Sequence, residues 1–275
     1  MYPDLINIGF LHLKTYGACM AVGFLLCWTV FEKLSNRKDL SNLLVLMMIS
    51  GVIGSRIWYV IEYWHEAGFA NDFWRVFRVD QGGLVFYGGF ILAMVAFFGY
   101  SIVKKENPLS LADFAVTVLP LGHACGRIGC FFYGCCYGKI SDSVLAVKFP
   151  AHSPAWYEQV KAGLIPETAP VSLGVLPTQL FEATVLLGLF VFMIVVYFKV
   201  VKKLSLPSGV MTGLYLVNYG IVRFLIEIMR GDPRADVGVF SIGQTVSMVL
   251  IATGALLLVW RISSWCKKIS KGVNT

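Results

Sequence analysis

His123, Arg127 and Cys130 are spaced i, i+4 and i+7, so a helix through them carries an imidazole, a guanidinium and a thiol on one face. A cation able to hold an anion thus stands beside an imidazole and a thiol. Two further guanidiniums, Arg56 and Arg223, and three carboxylates, Asp113, Glu182 and Glu227, also fall inside long apolar stretches. An ionised side chain at mid-bilayer costs at least about 2.5 kcal/mol unless paired or hydrated, so these groups mark a functional interior. Counting about 1.5 Å per helical residue puts Arg56, Arg127, Arg223 and Glu182 in the outer half of the bilayer. Glu227 lies one turn from Arg223 and can satisfy it. Guanidiniums gathered at one depth repel unless an anion sits between them, and arginine grips phosphate in a bidentate fork. The nearest anion there is a phospholipid headgroup. The competing reading is that the arginines only pair with Glu182 and Glu227 to lock helix register.

The elements that must position these groups are membrane helices. Of the 275 residues, 57% are hydrophobic and 14% charged, against about 25% charged in a soluble domain. A water-soluble globule, a disordered chain and a coiled coil are thereby excluded. Seven stretches are long enough to span: Tyr16 to Phe31, Leu43 to Tyr63, Gly82 to Ile102, Leu111 to Tyr133, Leu176 to Lys199, Ser208 to Met229 and Val239 to Ile262. Ser110 and Asp113 read as a capping box opening the fourth. The expected fold is an all-α polytopic membrane helix bundle of seven transmembrane helices. Lys33, Arg37, Lys38, Lys104, Lys105, Lys199, Lys202, Lys203 and the basic tail gather on one side, placing the N-terminus outside and the C-terminus in the cytoplasm. Residues 1–275 read as a single transmembrane domain, with 134–175 an outward-facing loop or small periplasmic head between spans four and five. Met1 to Phe10 lacks the basic stretch and cleavage site of a removable signal. The net charge of +7 is dispersed rather than gathered into an arm, so nucleic acid is not an expected partner.

Residues 120–139 read P-L-G-H-A-C-G-R-I-G-C-F-F-Y-G-C-C-Y-G-K. This stretch resembles the G-R-x-G-N-F-x-N-G-E-x-x-G signature of the bacterial prolipoprotein diacylglyceryl transferase family, which lies on that family's fourth span. Other motifs follow in order. Tyr16-Gly17 with Val22-Gly23-Phe24 is similar to the first span, Gly54-Ser55-Arg56-Ile57 to the second, and Phe77 through Gly89 to the start of the third. Pro177-Thr178-Gln179-Leu180-Phe181-Glu182 resembles P-S-Q-L-Y-E. The run from Tyr219 to Arg230 resembles Y-G-x-x-R-x-x-x-E-x-x-R, and Ser241-Ile242-Gly243-Gln244 resembles S-M-G-Q. The resemblance implies transfer of the diacylglyceryl group of phosphatidylglycerol to the thiol of a lipobox cysteine in a prolipoprotein signal peptide, with glycerol phosphate released. It also implies a multi-pass enzyme of the bacterial plasma (inner) membrane, an outward-facing site and neither metal nor other cofactor.

Under that resemblance Arg127 and Arg223 neutralise the leaving phosphate, Glu227 orients Arg223, and His123 is the candidate base. The family's third-span histidine is replaced by Tyr87, expected to donate a hydrogen bond instead. Tyr16, Arg56, Cys130, Tyr133, Cys135, Gln179, Glu182, Arg230 and Gln244 are the expected substrate-binding residues. Departures fall in the signature: Cys130 and Tyr133 replace asparagines and Cys135 replaces a glutamate. They leave three readings open: the same transfer, a lipid-headgroup transferase or lipid-binding protein with another acceptor, and a membrane thiol oxidoreductase built on the cysteines. For Cys130, Cys135 and Cys136 a disulfide is expected ahead of a metal site, because C-x4-C-C is not a standard zinc spacing.

Overall fold

The computed structural model describes residues 4–8, 11–66, 69, 72–77, 83–234 and 236–272. In chain order the elements are β1 (Asp4–Ile8), β2 (Leu11–Lys14), α1 (Thr15–Ser35), α2 (Ser41–Glu62), α3 (Phe86–Lys104), α4 (Pro108–Tyr133), α5 (Pro154–Lys161), α6 (Thr178–Val196), α7 (Val210–Met229), β3 (Asp236–Val237), β4 (Phe240–Ser241) and α8 (Ile242–Gly272). A π-helical turn, Tyr197–Val201, prolongs α6. Seven of the helices, all but α5, are long and apolar enough to cross a membrane. They coincide with the seven spans expected from the sequence. Side chains such as Leu25, Ile57, Val95, Val191 and Leu256 lie exposed along them. In a bilayer that costs nothing, because lipid tails are as apolar as leucine.

The fourth helix departs from expectation at its start. It begins at Pro108, a turn before Leu111. Proline fits there because its missing N–H would have no intrahelical partner. Asn107, rather than Ser110, caps the helix, its Oδ1 accepting from Leu109 N at 3.0 Å. Asp113 is thereby released from the expected capping box and reaches the start of α7. Its carboxylate accepts from Gly209 N at 2.6 Å, Thr212 N at 2.8 Å and Thr212 Oγ1 at 2.7 Å. An anion on the orphan amides of a helix N-terminus complements the macrodipole. Asp113→Ala should therefore lower stability by about 1–3 kcal/mol. Thermal unfolding in detergent checks this, with Asp113→Asn expected to lose less.

The chain divides into two compact units, Trp28–Leu111 and Met1–Cys27 with Ala112–Thr275. In the first, α2 and α3 touch backbone to backbone. A Cβ on Gly54 would strike the Gly88 carbonyl, and one on Gly88 would strike that of Gly54. Small residues at such a crossing let helices approach closely in lipid.

In the second unit, Ala183, Leu186 and Met193 of α6 bury against Met211 and Tyr215 of α7 and Ala124 of α4. Gly213 of α7 and Gly254 of α8 each leave room for the other's carbonyl. Residues 134–175 form a small folded insertion with a core of Tyr137, Phe149, Ala155 and Val175. Its helix α5 opens on Ser153, whose side chain accepts from Trp156 N. The strand-like strap after α4 ties the membrane helices together. Gly138 N donates to Leu176 O before α6, Lys139 N to Met229 O at the end of α7, and Gly231 N to Tyr137 O. The ends of α4, α6 and α7 are thus bound into one place.

Candidate active site

At that place the buried charges meet. Glu182, 1% exposed, stands on the first turns of α6 and takes Arg127 of α4, with Arg127 Nε 3.0 Å from Glu182 Oε2. His123, one turn back along α4, puts Nε2 3.9 Å from Glu182 Oε1. Its ring leans on Tyr219 of α7 at 5.2 Å between centroids, and Tyr219 stacks on Tyr215. Tyr219 lies within electrostatic reach of Glu182, Arg127 and Arg223.

One turn along α7, Arg223 Nη2 pairs with Glu227 Oε2 at 2.5 Å. The other carboxylate oxygen of Glu227 accepts from Ser241 Oγ at 3.0 Å. Ser241 is also the N-terminal residue of a capping box. Its N–H donates to Gln244 Oε1 at 3.1 Å while its Oγ accepts from Gln244 N at 3.2 Å. Gly243 then decides where Glu227 can sit, since a Cβ there would overlap the Glu227 carboxylate. Gly243→Ala should displace Glu227 and with it Arg223. Turnover should drop about 10- to 100-fold with the thermal midpoint far less affected than by Asp113→Ala; steady-state kinetics beside unfolding curves check it.

Arg230, just past α7, makes a two-point contact with Asp232: Nε to Oδ1 at 2.6 Å and Nη2 to Oδ2 at 2.7 Å. Burial pushes the Asp232 carboxyl up, opposed by the Arg230 guanidinium. Each arginine is thus held by a carboxylate from one side only. Arg223 Nη1 and Arg230 Nη1 are buried and have no hydrogen-bond partner among the described residues. Two forks with a spare buried donor each are what an incoming phosphate would engage.

The thiols sit beside them. After Tyr133 the chain turns through Gly134 at φ +82° and Cys136 at φ +65°. The second is a left-handed backbone that costs a non-glycine residue about 1–2 kcal/mol. The turn is clamped by Gln179 Nε2 on Cys135 O at 2.7 Å and by Thr178 Oγ1 on Cys136 O at 2.8 Å. It returns Cys135 and Cys136 to Cys130, and the three sulfurs lie within 4.8 Å of one another. All three are free thiols, so the expected disulfide is absent: an S–S bond needs about 2.05 Å and a fixed torsion, and here three thiols share one locus. The thiols of Cys130 and Cys135, then Arg230 and Arg127, hold the Cys136 thiol below its ordinary range. Cys130 and Cys136, conversely, push Cys135 up.

The profile of the prolipoprotein diacylglyceryl transferase family matches residues 3–260. The chain belongs to this family. It is 33% identical to the phosphatidylglycerol–prolipoprotein diacylglyceryl transferase of Vibrio parahaemolyticus over 94% of the chain and 90% of that relative. It is 32% identical to enzyme 2 of that name from Clostridium perfringens, over 90% of each. With the enzyme of that name from Photobacterium profundum it shares 33% identity over 94% of the chain and 92% of that relative.

For a transferase of this family, the residues named from the sequence divide by unit. Arg127, Arg223, Glu227, His123, Glu182, Gln179, Arg230, Cys130 and Cys135 assemble around the ends of α4, α6 and α7. Tyr16 of α1 packs over Gly129, where a Cβ would meet its ring, and stands within electrostatic reach of Arg127 and the thiols. Tyr133 ends α4, 46% exposed. Gln244 is occupied by the Ser241 capping box. Arg56 belongs to the other unit, where its fork meets backbone. Nε donates to Val76 O at 2.8 Å, Nη1 to Gly83 O at 3.1 Å and Nη2 to Arg75 O at 2.5 Å. The rings of Tyr59 and Phe69 lie 5.4 and 5.6 Å from its guanidinium carbon. That is the environment of a residue shaping the segment ahead of α3, a partner set the sequence reading did not foresee. Tyr87, also in that unit, is 60% exposed on the first turn of α3. Part of the motif ahead of it, Arg78 to Gly82, lies outside the described residues. Two site residues were missed. Tyr219, Arg223 and Glu227 recur at i, i+4 and i+8, a spacing that could have flagged Tyr219. Asp232 gave no comparable signal, because its pairing depends on the turn after α7.

Proposed function

We propose that this chain transfers the diacylglyceryl group of phosphatidylglycerol to the thiol of a lipobox cysteine in a prolipoprotein signal peptide and releases glycerol phosphate. The reading places it as a multi-pass enzyme of the bacterial plasma membrane, N-terminus outside and C-terminus cytoplasmic. Its site faces the outer leaflet, and residues 134–175 form a small periplasmic head. The observation that carries it is the set of buried arginines, Arg127, Arg223 and Arg230, each held by a carboxylate, with Arg223 Nη1 and Arg230 Nη1 unpartnered among the described residues.

In the reaction a thiolate sulfur attacks the glycerol carbon that bears the phosphate ester. An S–C bond forms, the C–O bond breaks, and its electron pair leaves on the phosphate oxygen. Charge growing on that oxygen is met by Arg223 and Arg230, with Arg127 beside them, in a water-poor setting where such preorganised donors matter most. Glu227, Glu182 and Asp232 keep the forks oriented. His123, one turn from Arg127 on α4 and 3.9 Å from Glu182, is the candidate proton acceptor. Supplying purified protein with phosphatidylglycerol and a peptide bearing a lipobox cysteine should give one glycerol phosphate released per thioether formed, read by mass spectrometry. A serine peptide should yield neither product. Release without peptide modification, or none at all, would refute the transfer.

A further inference from the structure

Three thiols meeting at one point call for more than packing. Among the described residues, no other group of three His, Cys, Asp or Glu side chains converges as Cys130, Cys135 and Cys136 do, and no fourth such side chain joins them. Thiolates around one zinc stand about 3.8 Å apart, given bonds of about 2.3 Å, so the cluster needs to contract by at most about 1 Å. The turn that gathers the sulfurs is built for it. Cys136 is held in the left-handed region, and Gln179 and Thr178 fix the carbonyls of both vicinal cysteines. Arg127 and Arg230 lie within electrostatic reach of Cys136 and offset the negative charge of a trithiolate. Three protein ligands with no fourth is the pattern of a catalytic zinc, which keeps one position for water or substrate.

We propose that Cys130, Cys135 and Cys136 bind a zinc ion whose fourth ligand is the acceptor thiol. The inference rests on the proposed transfer, which names that acceptor. A coordinated thiol is deprotonated outright, its proton passing to His123 or to water. The zinc-bound sulfur then attacks the glycerol carbon, the C–O bond breaks towards the phosphate held by the arginines, and the uncharged thioether, a weaker ligand, departs. No electron is gained or lost by metal or sulfur.

The test uses the full chain, purified in detergent, reduced, and loaded with zinc or cobalt alone. Zinc should be retained at about one per chain. It should fall to near zero in Cys135→Ser and in Cys136→Ser, and stay unchanged in Cys266→Ser at the exposed end of α8. Cobalt-loaded protein should show a near-ultraviolet thiolate charge-transfer band that strengthens on adding a cysteine peptide but not its serine counterpart. Titration of three free thiols with no retained zinc, or a disulfide in place of metal, overturns the site. A cobalt band indifferent to the cysteine peptide overturns the acceptor as fourth ligand. Undiminished transfer by protein shown to be metal-free sinks this inference and leaves the proposed function standing. Zinc that takes the peptide thiol without any glycerol phosphate release does the reverse.

Discussion

Arg223→Ala is expected to lower kcat/KM for diacylglyceryl transfer by about 10³-fold, roughly 4 kcal/mol of lost transition-state stabilisation. The size follows from its geometry. One arm of the fork is neutralised by Glu227 at 2.5 Å, while Nη1 is buried with no partner among the described residues. That donor gains most when charge develops on the leaving oxygen. The substitution also strands Glu227, which among the described residues keeps the Ser241 hydroxyl alone. Stability therefore falls as well, and turnover alone would not separate the two effects. The double variant Arg223→Ala, Glu227→Gln removes the stranded charge. It should recover most of the thermal midpoint and none of the activity. Recovery of activity in the double variant would reduce Arg223 to a register lock, the competing reading of the sequence. Arg223→Lys should recover little, because a point charge cannot satisfy carboxylate and phosphate together.

Glu182→Ala should have the second-largest effect, and on both folding and turnover. Glu182 is 1% exposed, faces Arg127 and His123, and stands on the helix that carries Gln179. Removing one partner of a buried pair leaves an uncompensated charge, at a cost of about 3–5 kcal/mol. Arg127 would then be free to turn away from its place beside Tyr219. Glu182→Gln should cost less stability yet still depress kcat, because Arg127 and His123 both lose their anion. Denaturation curves with single-turnover measurements on the two variants separate the contributions. Equal losses for Gln and Ala would mean that charge, rather than packing, sets both quantities.

The spans, their order and most of the charged residues were legible in the sequence because burial in lipid taxes composition directly. A run of about 20 apolar residues has few alternatives, and an arginine inside one stands out. Helix spacing also made the Arg223–Glu227 pair visible, since both lie on one element. What stayed hidden depends on which elements meet. Asp113 had the chemistry of a local cap but serves α7, because proline at 108 lets α4 begin a turn earlier and turns that side chain towards Gly209. Arg56 was placed by depth alone, and its contacts with the carbonyls of Val76 and Gly83 left no mark in the spacing. Depth says nothing of direction. The thiol cluster needed a left-handed Cys136, a conformation that no spacing rule announces. Gln244 was named by motif, and its capping box with Ser241, the residue that steadies Glu227, could not be read from the motif.

The most direct measurement of the central claim is an experimental structure of the protein with phosphatidylglycerol, or a non-hydrolysable phosphonate of it, in the site. The headgroup phosphate should lie with its oxygens about 3 Å from Arg223 Nη1 and Arg230 Nη1, between the ends of α4, α6 and α7. A headgroup seated elsewhere, with Arg127, Arg223 and Arg230 still bound only to Glu182, Glu227 and Asp232, would contradict it.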